Sequence, residues 1–239
     1  ESDDYLAGVS ISIYGTEDTL ENLSQKDKLF CAIEVLKQIE PQMAKGGIGV
    51  RGSRRFTPRQ IKDTFKDHKL KVALDDSDRE YGKSMKEAAN LFLTMDLEKC
   101  AWHAYNDCFG TSEEKHLIKY IEAIYPKLKV KYDEVYLVRN EKDLKVYSFK
   151  SGKAFEPDYV MFLRRKDSDG KFDNIQIFIE PKGQHLRSND VWKEDCMKEI
   201  RDMASIHFST QADKFNIWGM PFFTEALRES FDNAMKENF

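Results

Sequence analysis

Three ionisable residues stand at the ends of two apolar runs. Asp158 directly precedes Tyr159–Leu163 (YVMFL), while Glu180 and Lys182 follow Ile175–Ile179 (IQIFI). Between the runs lies a polar turn, Lys166-Asp-Ser-Asp-Gly-Lys171. β-Branched and aromatic runs bounded by Asp, Ser and Gly read as a β-hairpin. Both runs are nearly continuous in apolar residues, which predicts a hairpin buried on both faces in the middle of a sheet. Antiparallel pairing sets the start of the first strand beside the end of the second, so Asp158 and Glu180 become neighbours. Lys182, two residues beyond Glu180, shares its face. Two carboxylates suit Mg²⁺, with Mn²⁺ as a substitute, and the carbonyl of Pro181 offers a third oxygen. An ammonium group beside them can orient an attacking water and stabilise the hydroxide as it forms. The chemistry implied is metal-assisted hydrolysis. The bland alternative is a surface salt bridge at a strand end; against it, a carboxylate abutting apolar strands is costly to bury alone.

Other elements must hold these groups in place. Gly110-Thr-Ser-Glu-Glu-Lys opens a helix with Thr111 or Ser112 as N-cap, a stripe of Leu117, Ile118, Ile121 and Ile124, and Pro126 as its stop. Glu114 falls on the buried side of that helix and Glu113 more to the side. A carboxylate there either answers the helix dipole and its free N–H groups or is delivered to the active site. Strands are expected at Gly8–Tyr14, Glu134–Arg139, Leu144–Phe149 and Phe215–Phe223. Helices are expected at Asp27–Ile39 (stopped by Pro41), Thr57–Phe65, Ser84–Met95 (Ala88, Leu91 and Phe92 inward), from Asp190 through Met203, and from Thr224 through Met235. Asp75–Lys83 reads as a linker. The order predicts an α/β fold, a mixed sheet flanked by helices, with a small α/β N-terminal appendage.

The chain has 239 residues, 41% hydrophobic and 33% charged, with a net charge of −4. That is a globular composition, and no apolar run reaches the roughly 20 residues a membrane helix needs. The opening Glu-Ser-Asp-Asp has neither Met nor a basic-then-apolar leader, which points to a cytoplasmic segment of a longer protein. Cys31, Cys100, Cys108 and Cys196 lack zinc or redox spacing and read as free thiols. The glycines of Gly46–Gly52 lack the phosphate-loop pattern. The basic residues from Arg51 to Lys71 form either a solvated face or a phosphate-contacting patch. Arg164, Arg165 and Lys166 read as a solvated turn, Trp192 as core, and Gln184 and His185 as either turn residues or contacts near the metal.

Pro157-Asp158, followed 22 residues later by Glu180-Pro181-Lys182, resembles the PD-(D/E)xK nuclease motif. Taken together, GTSEEK, FEPD and FIEPKGQHL resemble the C-terminal endonuclease region of type III restriction enzyme Res subunits. Gly8–Phe65 is similar to the stretch that joins that nuclease to its helicase motor. The resemblance implies a PD-(D/E)xK restriction-endonuclease-like core over residues 96–239 and a joining segment over 1–95. It further implies Mg²⁺-dependent hydrolysis of double-stranded DNA. Asp158 and Glu180 would be metal ligands, Lys182 the catalytic lysine, and Glu114 (or Glu113) the helix glutamate that assists the metal. The implied partners are a methyltransferase (Mod) subunit and a helicase motor in the same full-length chain, without which the isolated segment need not cut. The alternatives are a nuclease of another defence or repair helicase–nuclease, and a non-catalytic docking module.

Overall fold

The computed structural model describes residues 14, 16, 21–46, 59–67, 79–166, 170–183, 190–202, 207–209 and 213–239. Contacts divide the chain into two compact units, Glu1–Val50 and Arg51–Phe239. The boundary expected at 95/96 therefore falls inside the second unit.

In the first unit, α1 spans Gln25–Gly46 and runs through Pro41, where the sequence suggests a stop. Proline removes one helical hydrogen bond and costs about 3 kcal/mol, which weakens a helix without always ending it. Leu29, Phe30 and Ile33, which recur at helical spacing, are exposed. The strand expected at Gly8–Tyr14 lies almost wholly outside the described residues.

The second unit is built on a five-stranded mixed sheet of order β1-β4-β5-β7-β6. Its strands are β1 (Glu134–Arg139), β4 (Tyr159–Lys166), β5 (Phe172–Ile179), β6 (His207–Ser209) and β7 (Asp213–Gly219); β2 (Val146–Tyr147) and β3 (Ala154–Phe155) form a separate small hairpin. Strands β4 and β5 are the expected hairpin, paired antiparallel from Tyr159↔Ile179 to Lys166↔Phe172 and flanked by β1 and β7. The two apolar runs are central because both of their faces are covered. Tyr159, Met161, Ile177 and Ile179 pack with Leu117, Ile118 and Ile121 of α3 (Ser112–Lys131) and with Phe231 and Met235 of α5 (Glu229–Asn238). Val160 and Phe178 pack on the other face with Cys196, Met197 and Ile200 of α4 (Val191–Asp202). Odd positions thus face one helical layer and even positions the other, as the period of two requires. Strands β5 and β7 are parallel, which demands a crossover, and α4 lies within it.

Four expectations need correction. Helix α3 continues past Pro126 to Lys131, because burial of Leu128 and Tyr132 beyond the proline offsets one lost bond. Residues 84–95 are not one helix but two 3₁₀ turns, Met85–Glu87 and Leu91–Leu93. Side chains claim the N–H groups a helix would use: Ser84 accepts from Lys86, Asn90 from Phe92, and Glu80 from Ala89 and Asn90. Leu91 and Phe92 are exposed as a result, and Ala88 is buried. The linker expected at Asp75–Lys83 contains Glu80, which is buried and accepts from Lys115 Nζ at 2.9 Å. Only α2, Ile61–Thr64, stands where a helix to Phe65 is expected, and Thr57 and Pro58 lie outside the described residues. All four cysteines are free, Cys108 and Cys196 being buried. Among the described residues no helix is long and apolar enough to cross a membrane.

Candidate active site

The register places Tyr159 opposite Ile179, so the next residues outward are Asp158 and Glu180. The Asn140 N–H donates to the Asp158 carbonyl (2.8 Å), extending the β1–β4 ladder by one residue. The Asp158 N–H donates to Glu180 Oε2 at 3.1 Å, which brings the two acids together as the sequence predicts. Beyond β5 the chain stays extended, and Pro181 bridges Phe223 in parallel. That bridge uses Lys182 N–H to Phe223 O (2.7 Å) and Phe223 N–H to Glu180 O (3.0 Å). The Pro181 carbonyl alternates with these groups and points the other way, toward the β4 side. The Thr224 hydroxyl donates to the Lys182 carbonyl at 2.7 Å. Glu180 and Lys182 are thereby fixed on one face by backbone pairing.

Glu180 is 1% exposed, and Lys193 of α4 donates to its Oε1 at 2.7 Å. Lys182 is paired with Asp190, whose Oδ2 also lies 4.0 Å from Lys193. Burial pushes the Asp158 carboxyl well above its usual range, and the neighbouring Glu180 and Glu114 push it further; Lys193 and Lys182 oppose them. Burial likewise raises Glu180, with Lys193 opposing. For Lys193, burial favours the neutral amine, but Glu180, Asp190 and Asp158 together outweigh it and the ammonium is stabilised. These acids repel one another where water cannot screen them.

Glu114 lies within electrostatic range of Asp158, but its own oxygens are committed. It completes a capping box with Thr111, accepts from Arg139 Nε at 2.7 Å and from the Tyr159 hydroxyl at 3.2 Å. Gly110 makes room for this carboxylate: a Cβ there would meet Glu114 Oε2 at 2.4 Å. Glu113 accepts from the Glu225 N–H at 2.9 Å instead. Of the two glutamates, Glu114 is the one whose charge reaches Asp158, and Arg139 and Tyr159 hold its carboxylate in place.

Among the described residues no group of three or more His, Cys, Asp or Glu side chains stands together as a metal-holding set. The hairpin end offers two carboxylates, Asp158 and Glu180, with the Pro181 carbonyl alongside. Two carboxylates packed together, Glu180 buried and Asp158 half-buried, are a charge imbalance that a divalent cation offsets. Hard oxygen donors with room for waters fit Mg²⁺. The residues present therefore fit such an ion through two side chains rather than three.

Lys193, Asp190, Arg139 and Tyr159 are not among the site residues the sequence suggests. The available signal for two of them was local: Asp190 and Lys193 lie one helical turn apart at the start of the helix that follows Lys182. Arg164 and Arg165 sit at the far end of β4, paired with Glu134 and Asp173, roughly 20 Å along the strand from Asp158 at 3.3 Å per residue. Trp192 is half-buried against the α4 face of the core. Gln184 and His185, and most of the Arg51–Lys71 stretch, lie outside the described residues.

The chain is 30% identical over 212 residues to a Haemophilus influenzae protein carrying the name "Uncharacterized protein". The match covers 86% of this chain and 43% of the relative, so the chain spans less than half of that relative's length. No solved structure matches. Residues 49–236 match the family model HI_1054_C, described as a C-terminal domain; the chain belongs to that family.

Proposed function

We propose that the open end of the β4–β5 hairpin is the catalytic centre of a Mg²⁺-dependent endonuclease with a PD-(D/E)xK-type core. It would be the nuclease part of a type III restriction enzyme Res subunit acting on double-stranded DNA. One observation carries this reading: Asp158 and Glu180 stand side by side, Glu180 buried and Asp158 half-buried, with Lys182 held on the Glu180 face by the same backbone pairing.

Bound Mg²⁺ would supply Lewis-acid polarisation of a phosphate oxygen and the counter-charge for the two acids. The protein's own groups do the rest. Asp158 and Glu180 would hold the ion through their carboxylate oxygens. Lys182, once released from Asp190, orients the attacking water and stabilises the negative charge it acquires on losing a proton. A P–O bond forms to the water oxygen as the bond to the leaving sugar oxygen breaks; the water's proton passes to solvent, and the departing sugar oxygen takes a proton from solvent. Lys153, held over the Trp192 ring at 4.0 Å, would meet the DNA backbone. The methyltransferase subunit and the motor would lie outside this chain, and a defence or repair helicase–nuclease fits the same chemistry.

A second reading, a non-catalytic docking module, is favoured by one observation. Lys182 and Lys193 already neutralise Asp190 and Glu180 within the fold. Plasmid nicking with Mg²⁺ by the full-length protein and its partners, compared with Lys182→Ala, separates the two. Cleavage that depends on both Mg²⁺ and Lys182 supports the nuclease. Undiminished cutting by the variant removes Lys182 from the mechanism, and no cutting by the wild-type complex leaves the docking module.

A further inference from the structure

The cluster at the hairpin end contains three carboxylates, Asp158, Glu180 and Asp190, and two ammonium groups, Lys182 and Lys193. Four of the five form an alternating chain: Lys182–Asp190–Lys193–Glu180. The link at its centre is loose, since Lys193 is 2.7 Å from Glu180 but 4.0 Å from Asp190. Asp190 and Lys193 lie one turn apart at the start of α4, so the Lys193 side chain reaches either acid without movement of its backbone. That backbone is fixed. At Gly219, a Cβ would sit 2.3 Å from the Met197 carbonyl, and Arg201 donates to the Gly219 carbonyl at 3.0 Å, which press α4 against β7.

We infer that Lys193 is an exchangeable counter-cation: it holds Glu180 until a divalent ion takes its place, then crosses to Asp190. This deepens the metal-dependent reading above and rests on it. Of the Glu180 oxygens, Oε2 accepts the Asp158 N–H and Oε1 accepts Lys193. Inner coordination by Glu180 therefore competes with Lys193 for an oxygen. Charge points the same way. An ammonium left at 2.7 Å from a ligand oxygen would face the incoming ion across a water-poor gap, where like charges repel strongly. Asp190 is the nearest acceptor for the displaced group. Once it accepts Lys193, Lys182 has to share the carboxylate it is paired with, so the crossing also loosens the lysine assigned to the attacking water.

The test is Mn²⁺ binding to the whole chain at pH 8.0, read by calorimetry and by electron paramagnetic resonance, for wild type, Lys193→Met, Lys193→Gln and Lys182→Met. Removing a charge-assisted competitor from Glu180 should tighten Mn²⁺ on the order of tenfold in both Lys193 variants. Lys182→Met, which removes the cation paired with Asp190 rather than the one on Glu180, should tighten Mn²⁺ less than either Lys193 variant. The wild-type chain gives a check that needs no variant: on adding Mg²⁺ the Lys193 ¹⁵Nζ resonance should move while that of buried Lys115 stays. Lys193 variants that bind Mn²⁺ as well as wild type or worse, or a Lys193 signal that stays in place while Mg²⁺ binds, would overturn the exchange and leave the metal site intact. No Mn²⁺ binding by any of the four proteins would overturn both.

Discussion

Removing Glu114 should cost the fold far more than it costs the metal site. The sequence suggests the opposite, a carboxylate that supports a metal and whose loss leaves the fold nearly untouched. In the structure Glu114 does three structural jobs. It is the distal half of the Thr111 capping box, worth about 1 kcal/mol. It is 7% exposed and paired with Arg139, and breaking a buried pair from one side costs about 3–5 kcal/mol. Arg139 retains 27% exposure and a second partner in Glu141, so part of that cost is recovered by water and the low end applies. The Tyr159 hydroxyl also loses its closest acceptor. Together these give a loss of about 3–4 kcal/mol for Glu114→Ala. For a unit of this size that lowers Tm by roughly 10 °C. Urea unfolding of wild type, Glu114→Ala, Arg139→Met and the double variant measures both the loss and the coupling. Coupling between the two positions should be about 2 kcal/mol or more. A loss below about 1 kcal/mol, or a cycle that closes near zero, would show that Glu114 is not held by Arg139 and would return it to the metal shell.

Two further outcomes are expected. Asp158→Asn should stabilise the protein in EDTA at neutral pH. Burial, Glu180 and Glu114 raise the folded-state affinity of Asp158 for its proton above the unfolded value, so the native state binds more protons and loses stability as pH rises. The gain should be absent near pH 3.5, appear as pH rises past about 4, and level off once the folded carboxyl has ionised; urea unfolding across that range checks it, and a variant less stable than wild type at pH 7 would refute it. Lys115→Met should destabilise by about 3–5 kcal/mol, because Lys115 is wholly buried and donates to the Glu80 carboxylate and to the carbonyls of Glu80 and Lys83. Adding Glu80→Gln should restore part of the loss in the same melts.

What could be read from the chain and what could not differ by the range of the forces involved. The hairpin was legible because period and turn chemistry are local: two runs of β-branched and aromatic residues around an Asp-Ser-Asp-Gly turn leave one register that buries both faces. Adjacency of Asp158 and Glu180 follows from that register alone. The helix of residues 84–95 was misjudged because Glu80, Ser84 and Asn90 compete for the same N–H groups, and which one wins depends on how the segment docks against Lys115, 35 positions away from Glu80. Pro126 follows the same logic: a local penalty of a few kcal/mol is outweighed by burial of Leu128 and Tyr132, which a window of sequence does not contain. The partners of the site were hidden for a further reason. Arg139 and Lys193 carry long side chains on β1 and α4, and their destinations depend on the sheet order and on the tight approach at Gly219, neither of which is a property of neighbouring residues. Charge nevertheless left a constraint. Two neighbouring acids at one strand end, one of them buried, call for cations, and Lys182 alone cannot balance two carboxylates. A second cation was therefore required at the Asp158–Glu180 pair, and among the described residues Lys193 is the amine found there.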